Sequence, residues 1–180
     1  MHLIPPILLA LLAASNVLAM PVMMEPESAG LSVIHQKPYH NGNITIVGFE
    51  SAPLAPLASM SGQDSILQRG CGGSNNVECH TSYQWNSDTC QTLINFLNED
   101  PSATLAKSPR SVCFGTDSAT GWCCLSWSKV VNGLQRGSLV PATQAVFGAC
   151  AGTRSGLARD VNLQGVCLTQ CLSGRAEGCR

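Results

Sequence analysis

The sequence predicts an α+β sandwich, in which a mostly antiparallel sheet carries two helices on one face and disulfide bonds hold the layers together. Two observations lead to this class. Segments typical of strands and helices follow one another in the order β-α-β-β-α-β downstream of residue 70, as expected for a sheet with its helices on one side. All ten cysteines also lie downstream of residue 70, and an even number of cysteines behind a secretory leader predicts a disulfide framework.

The first two elements of this order are a strand over residues 76–82 and a helix over residues 87–98. Asn86 and the two residues after it offer the helix an N-terminal cap, and Pro101 ends it. Apolar residues recur at positions i, i+3, i+4 and i+7 and predict one buried stripe. These residues are Cys90, Leu93, Ile94 and Leu97.

Two further strands are expected over residues 110–115 and 121–128. Because side chains alternate along a strand, the neighbours Cys123 and Cys124 point to opposite faces of the sheet, and a bond between them would be strained. Trp122 and Trp127 also have opposite parity. One of them can therefore face solvent as a carbohydrate or partner anchor while the other packs inward, but the favoured interpretation is that both belong to the core or pack against a disulfide.

A second helix is expected over residues 139–150, with Ser138 as its cap and Pro141 tolerated in its first turn. The last strand is expected over residues 158–164, where apolar and polar residues alternate. The C-terminal tail then holds three cysteines in a short stretch, which predicts that it is fastened back onto the body of the domain. They are Cys167, Cys171 and Cys179.

The N-terminal part divides into a leader and an arm. Residues 1–19 predict a cleaved signal peptide, because an apolar stretch is followed by small or apolar residues at Val17 and Ala19. The apolar stretch is shorter than the roughly 18 residues that a membrane span needs. Residues 20–70 then form a cysteine-free arm or pro-segment with a proline-containing linker, and the disulfide-rich domain takes residues 71–180. The predicted location is therefore extracellular.

Two strands are favoured within the arm, over residues 31–35 and 44–49, around a turn at Asn41 and Gly42. Two strands alone are only marginally stable in water. The arm must consequently dock on the domain, be cut off, or remain mobile, and the sequence leaves these three possibilities open.

Charge and cysteine usage exclude several classes of partner. The formal net charge is −1 and the pI is about 6.4, so the chain has no bulk positive charge with which to coat nucleic acid or anionic membranes. The paired Cys-x2-Cys and His spacings of zinc sites are missing, so we expect no metal and no cofactor. The ten disulfide candidates are Cys71, Cys79, Cys90, Cys113, Cys123, Cys124, Cys150, Cys167, Cys171 and Cys179.

The sequence offers little sign of catalysis. His80 is the one histidine downstream of residue 70, and Glu78 shares its strand face two residues earlier. Such a pair can orient an imidazole as a general base, with Ser126 supplied from another strand. A solvated polar pair on an edge strand is the favoured interpretation. Hydrolase motifs such as G-x-S-x-G and H-E-x-x-H are absent from the sequence.

Surface recognition has its own candidates. Trp122, Arg110 and Arg175 are the residues we expect to contact a partner, although the domain's eight basic and seven acidic residues produce no strong field. Asn43 begins the sequon Asn43-Ile44-Thr45 beside the predicted turn, which is the exposed context that N-glycosylation needs.

Three runs resemble the WD-like domain of small secreted fungal proteins over residues 70–180. They are SPRSVC at residues 108–113, CCLSWS at residues 123–128, and CLSGR at residues 171–175 between Cys167 and Cys179. The run GCGGS at residues 70–74 and the rhythm of helices and cysteine-bearing strands more distantly resemble smut-fungus killer toxins and necrosis-inducing effectors. The resemblance implies a secreted, non-enzymatic α+β fold with toxin or effector activity.

The functional prediction is a secreted, non-catalytic protein that binds an extracellular protein, a membrane or a cell-wall target. A small hydrolase using His80 and Glu78 is the alternative from another class, and a structural cell-wall protein is the third. Alanine at position 80 separates the first two, because only a hydrolase would lose its activity with the fold intact.

Overall fold

The computed structural model describes residues 31–49, 71, 76–106, 109–116, 121–150 and 154–179. The predicted signal peptide and the linker lie outside the described residues. The elements are β1 (Leu31–Tyr39), β2 (Gly42–Phe49), β3 (Asn76–His80), α1 (Ser87–Glu99), β4 (Pro109–Gly115), β5 (Trp122–Trp127), α2 (Arg136–Ala149), β6 (Ser155–Leu163) and β7 (Val166–Ser173).

The seven strands form one sheet in the order β1-β2-β4-β5-β7-β6-β3, and every neighbouring pair is antiparallel. Strands β3 and β4 therefore run in the same direction with three strands between them, and β5 and β6 do so on either side of β7. Helices α1 and α2 make these two crossings and pack against each other on one face of the sheet. The predicted fold class, an antiparallel sheet with two helices on it, is confirmed.

Helix α1 forms where its local signals place it. The side chain of Asn86 accepts hydrogen bonds from the backbone N–H groups of Asp88 and Thr89, at 2.9 and 3.2 Å. All four residues of the predicted apolar stripe are buried against the sheet. The helix ends at Glu99, just before Pro101.

Helix α2 starts earlier than predicted, because its cap is not a side chain. The N–H groups of Arg136 and Gly137 donate to the backbone carbonyls of Ala103 and Pro101, at 3.0 and 2.9 Å. The loop after α1 thus satisfies donors that Ser138 was expected to help satisfy. Pro141 consequently lies inside the helix, not in its first turn.

Strand β7 is the element that the sequence analysis missed, since its residues were assigned to a tail. On the helix side of the sheet, the buried residues of β7 are Leu168, Gln170 and Leu172, so a polar residue interrupts the row of apolar residues by which a strand is recognised. The Gln170 amide is accommodated because its Nε2 donates to the Leu139 carbonyl and to Thr143 Oγ1, at 3.0 and 2.9 Å. Cys167 and Cys171 therefore belong to the sheet, and only the residues after Ser173 form a tail.

The β1–β2 hairpin docks on the domain, which the sequence had left open. Strand β2 pairs with β4 along its length, and Ile44 and Ile46 enter the core on the helix side of the sheet. Tyr39 packs edge-on against Phe96 with ring centroids 5.3 Å apart, and its hydroxyl donates to Glu99 of α1. The hairpin contributes no cysteine, so pairing and packing hold it in place.

All ten cysteines are bonded, which confirms the predicted disulfide framework. Two bonds fasten the helices to the sheet, one joins neighbouring strands on the opposite face, and two secure the ends of the domain. In that order they are Cys90–Cys123, Cys79–Cys150, Cys113–Cys124, Cys71–Cys167 and Cys171–Cys179. The partners of Cys123 and Cys124 lie on opposite faces, as strand alternation requires.

Candidate functional site: the outer face of the sheet

The face of the sheet opposite the helices, called the outer face below, carries every second side chain of each strand. From the strand register, its central residues are Asn43, Thr45 and Val47 of β2, Ser111 and Cys113 of β4, Trp122, Cys124 and Ser126 of β5, Cys171 of β7, and Leu157 of β6. No helix within the described residues covers this face.

The C-terminal tail crosses the outer face. Cys179 bonds Cys171 and forms a small apolar cluster with it and Leu157. Two adjoining hollows of about 380 and about 290 Å³ flank the tail, and both are lined by Leu31, Ala176 and Glu177. The tail therefore forms a shared wall between the two hollows. The sequence predicted that the tail is fastened to the domain, but not that it separates two hollows.

Arg110 lines the larger hollow, beside Ser126 and Leu157. Its Nε donates to the Trp127 carbonyl at 2.9 Å, and its guanidinium lies 5.8 Å from the ring centroid of Phe49. Burial lowers the pKa of Arg110. Among the described residues no carboxylate forms an ion pair with it, so this partly desolvated cation has room for an outside acceptor.

The other charges of this hollow are Arg159 and Glu177. Arg159 Nη2 donates to Glu78 Oε2 at 2.7 Å, and this hydrogen bond raises the pKa of Arg159. Both partners are more than a third exposed, so the pair contributes little to stability. It does occupy the carboxylate that the hydrolase interpretation assigned to His80.

The three residues of the hydrolase interpretation, Glu78, His80 and Ser126, lie on the same face of the sheet but are not all close to one another. Glu78 and His80 are exposed on the edge strand β3. In the register, Glu78 is opposite Leu157, which is opposite Cys171, which is opposite Ser126. Three strand spacings separate Glu78 from Ser126, or about 14 Å.

Trp122 lines the smaller hollow and is 41% exposed, whereas Trp127 is buried on the helix face. The indole of Trp122 lies directly over Gly115, since a Cβ added to Gly115 would be 2.8 Å from the Trp122 ring. Val33, also in this hollow, is 57% exposed. An apolar, partly aromatic surface therefore faces outward here.

Three buried hydroxyls on this side of the molecule have no hydrogen-bond partner among the described residues: Ser32, Thr45 and Ser111. Buried hydroxyls usually find a partner. Ser32 and Thr45 line the smaller hollow, and Ser111 lies between Val47 and Ser126. These residues are not predicted from the sequence, because isolated serines and threonines in strands carry no signal by themselves.

Arg175, the third predicted recognition residue, is engaged within the molecule. Its guanidinium lies 3.4 Å from the ring centroid of Tyr83, and its Nε donates to the Gly178 carbonyl at 2.8 Å. The structure places it at the base of the tail, where it helps to hold that segment. It is not among the residues that line either hollow.

Neither helix in the described ranges is long and apolar enough to cross a membrane, and the described histidines, cysteines and acids form no cluster suited to a metal ion. Five disulfides indicate an oxidising environment. Fold and site together define a small cysteine-rich α+β protein with one sheet face packed under helices and the other available for contact.

The sequence model of the family described as Fungal WD-like matches residues 61–179. The chain belongs to this family. No curated protein and no solved structure matches the chain. The β1–β2 hairpin precedes the matched residues, yet it supplies two of the seven strands. The more distant resemblance to killer toxins stays a prediction.

Proposed function

We propose that this protein is secreted and non-catalytic, and that it acts as a toxin- or effector-like binder of a cell-surface or cell-wall target through the larger hollow of the outer face. The observation that carries the proposal is Arg110, a partly buried guanidinium at that hollow without a carboxylate partner among the described residues. A cation removed from water is stabilised when an acceptor reaches it.

The surroundings of Arg110 suit a polar ligand with an apolar part. Ser126 and Thr169 supply hydroxyls at the hollow, and Leu157 and Leu31 supply apolar surface. A guanidinium binds a carboxylate through two parallel hydrogen bonds, so an acidic group on the target fits best. Glu177, which also lines this hollow, disfavours ligands with a high density of negative charge.

The placement of the acidic and basic residues favours binding over catalysis. Glu78 is occupied by Arg159, and three strand spacings, about 14 Å, separate the strand that holds Glu78 and His80 from Ser126. A nucleophile and its base must come within hydrogen-bond reach of each other. The proposal therefore assigns no catalytic role to His80, Glu78 or Ser126.

The test compares two charge-neutralising variants, Arg110→Gln and Arg154→Gln. Both lower the net charge by one, but Arg154 is exposed just before β6 and lines neither hollow. Labelled, disulfide-bonded protein is titrated onto washed cell walls and onto intact cells, and the bound fraction is measured. A hydrogen bond to a charged group contributes about 1.5–3 kcal/mol, so Arg110→Gln should weaken binding by about 10- to 150-fold. Arg154→Gln should leave it unchanged.

Equal binding by the two variants, or no saturable binding at all, would overturn the proposal. Retention in the wall fraction after exhaustive washing would indicate a structural cell-wall protein instead. Release of soluble fragments by the native protein, abolished in a folded His80→Ala variant, would establish a hydrolase. Circular dichroism and thiol titration on each variant confirm that the fold and the disulfides are intact.

A further inference from the structure

We propose that an N-linked glycan on Asn43 packs its first sugar residue against Trp122, so that the exposed indole has a partner attached to the same chain. The inference rests on the secretion that the proposed function includes, and not on the identity of its target. It assigns a modification site and the side chain that receives the modification.

Strand β2 presents the sequon to the outer face. Ile44 points into the core and is fully buried, so alternation turns Asn43 and Thr45 outward. Asn43 is only partly buried, which leaves its amide within reach of solvent. A glycan attached there must extend over the outer face, because the helix side of β2 is filled by the core.

The strand register places Asn43 and Trp122 in one row. Asn43 is opposite Gly115, and Gly115 is opposite Trp122. Two strand spacings separate the first and last residues, or about 10 Å. Glycine leaves the middle of the row without a side chain, and the indole fills this gap by lying over the Gly115 backbone. The ring therefore reaches from β5 toward the side chain of Asn43.

The chemistry of the row suits a sugar. An indole offers a flat apolar surface with a polar edge, and a pyranose ring offers an apolar face of C–H groups. Thr45 and Val33 line the same hollow as Trp122, and Val33 is 57% exposed. A sugar packed on the indole covers part of this exposed apolar surface. The large exposed aromatic thus has a partner attached to the same chain.

The experiment uses the full chain secreted from a yeast host. Mass spectrometry should find the glycan on the peptide that contains Asn43, and the Asn43→Gln variant should be secreted without it. The glycan is then trimmed to its first N-acetylglucosamine with an endoglycosidase. Proton NMR should show the N-acetyl methyl signal shifted upfield by the indole ring current, and Trp122→Ala should return that signal to its position in a free glycopeptide.

Tyr83→Ala is the matched control. Tyr83 is 43% exposed, close to the 41% of Trp122, but it lies against Arg175, so its removal should leave the N-acetyl signal where it was. A secreted chain with unmodified Asn43, or an N-acetyl signal that ignores Trp122, overturns the inference while the binding role of Arg110 stands. A chain that is not secreted overturns the premise of both proposals.

Discussion

Replacing Ile44 with alanine should release the β1–β2 hairpin from the domain. Ile44 is fully buried and is paired in register with Phe114, which is 1% exposed. The hairpin has no disulfide of its own, and an isolated hairpin is only marginally stable in water. The substitution should therefore mainly weaken the docking of the hairpin and leave the rest of the domain folded.

The size of the effect follows from the burial. Truncating a buried isoleucine to alanine costs about 2–5 kcal/mol, from lost transfer free energy and from the cavity left behind. If the substitution destabilises docking by about 3 kcal/mol, the ratio of undocked to docked hairpin increases by about 100-fold, since each 1.4 kcal/mol is a factor of ten. Strands β5 and β7 should hardly respond, because Cys123, Cys124, Cys167 and Cys171 bond them to other elements.

Hydrogen exchange measured by mass spectrometry resolves this difference. Peptides from β1 and β2 should exchange about 100-fold faster in Ile44→Ala, at the docking cost of about 3 kcal/mol, while peptides from β5 and β7 keep their protection. Val33→Ala is the control within the same hairpin, because Val33 is 57% exposed and its truncation should change stability by less than about 0.5 kcal/mol. Unchanged exchange in Ile44→Ala, or an equal effect of Val33→Ala, would refute the docking argument.

Two more predictions concern the contacts of the helices. Burial, and after it the hydrogen bond to Glu99, raises the pKa of Tyr39 from 10.0 to about 12. The stabilisation of the folded state by this group is therefore complete below pH 10 and is lost as the pH rises toward 12. Denaturation measured over a series of pH values should show this loss in the native protein but not in Tyr39→Phe. Gly156→Ala should destabilise the protein by about 1–3 kcal/mol through overpacking, because the added Cβ would lie 2.6 Å from Cys150 Sγ. Gly148→Ala on the open side of α2, where nothing lies within 4 Å, should instead stabilise it by about 0.4–1 kcal/mol, and thermal denaturation midpoints that move in the same direction for both variants would contradict this reasoning.

How far the sequence predicts the fold depends on how local the signals are. Helix α1 was predicted to within one residue because its cap and its apolar stripe lie inside the segment itself. Helix α2 begins at Arg136 because backbone carbonyls more than thirty residues earlier accept its first N–H groups. Strand β7 escaped prediction because Gln170, buried at a core position, finds its partners on α2.

In the candidate site, too, local patterns predicted some features and long-range packing decided others. Parity in β5 predicted that Trp122 and Trp127 point to opposite faces, and the structure exposes the first and buries the second. The sequence also nominated Arg110 and Arg175 together. Packing separates them, since Arg175 lies against Tyr83 while Arg110 lines the larger hollow.

By itself, the sequence determined the fold class, the disulfide chemistry, the first helix and the alternation of faces, because these follow from composition and from the spacing of neighbouring residues. The tertiary structure decided which cysteines bond, that the hairpin joins the sheet through β4, and that the outer face is left open beside the tail. These outcomes depend on contacts between residues far apart in the chain, such as Cys71 with Cys167 and Asn43 with Gly115. Local patterns carry no information about such contacts, since the free energy that selects them comes from packing the whole sheet and both helices together.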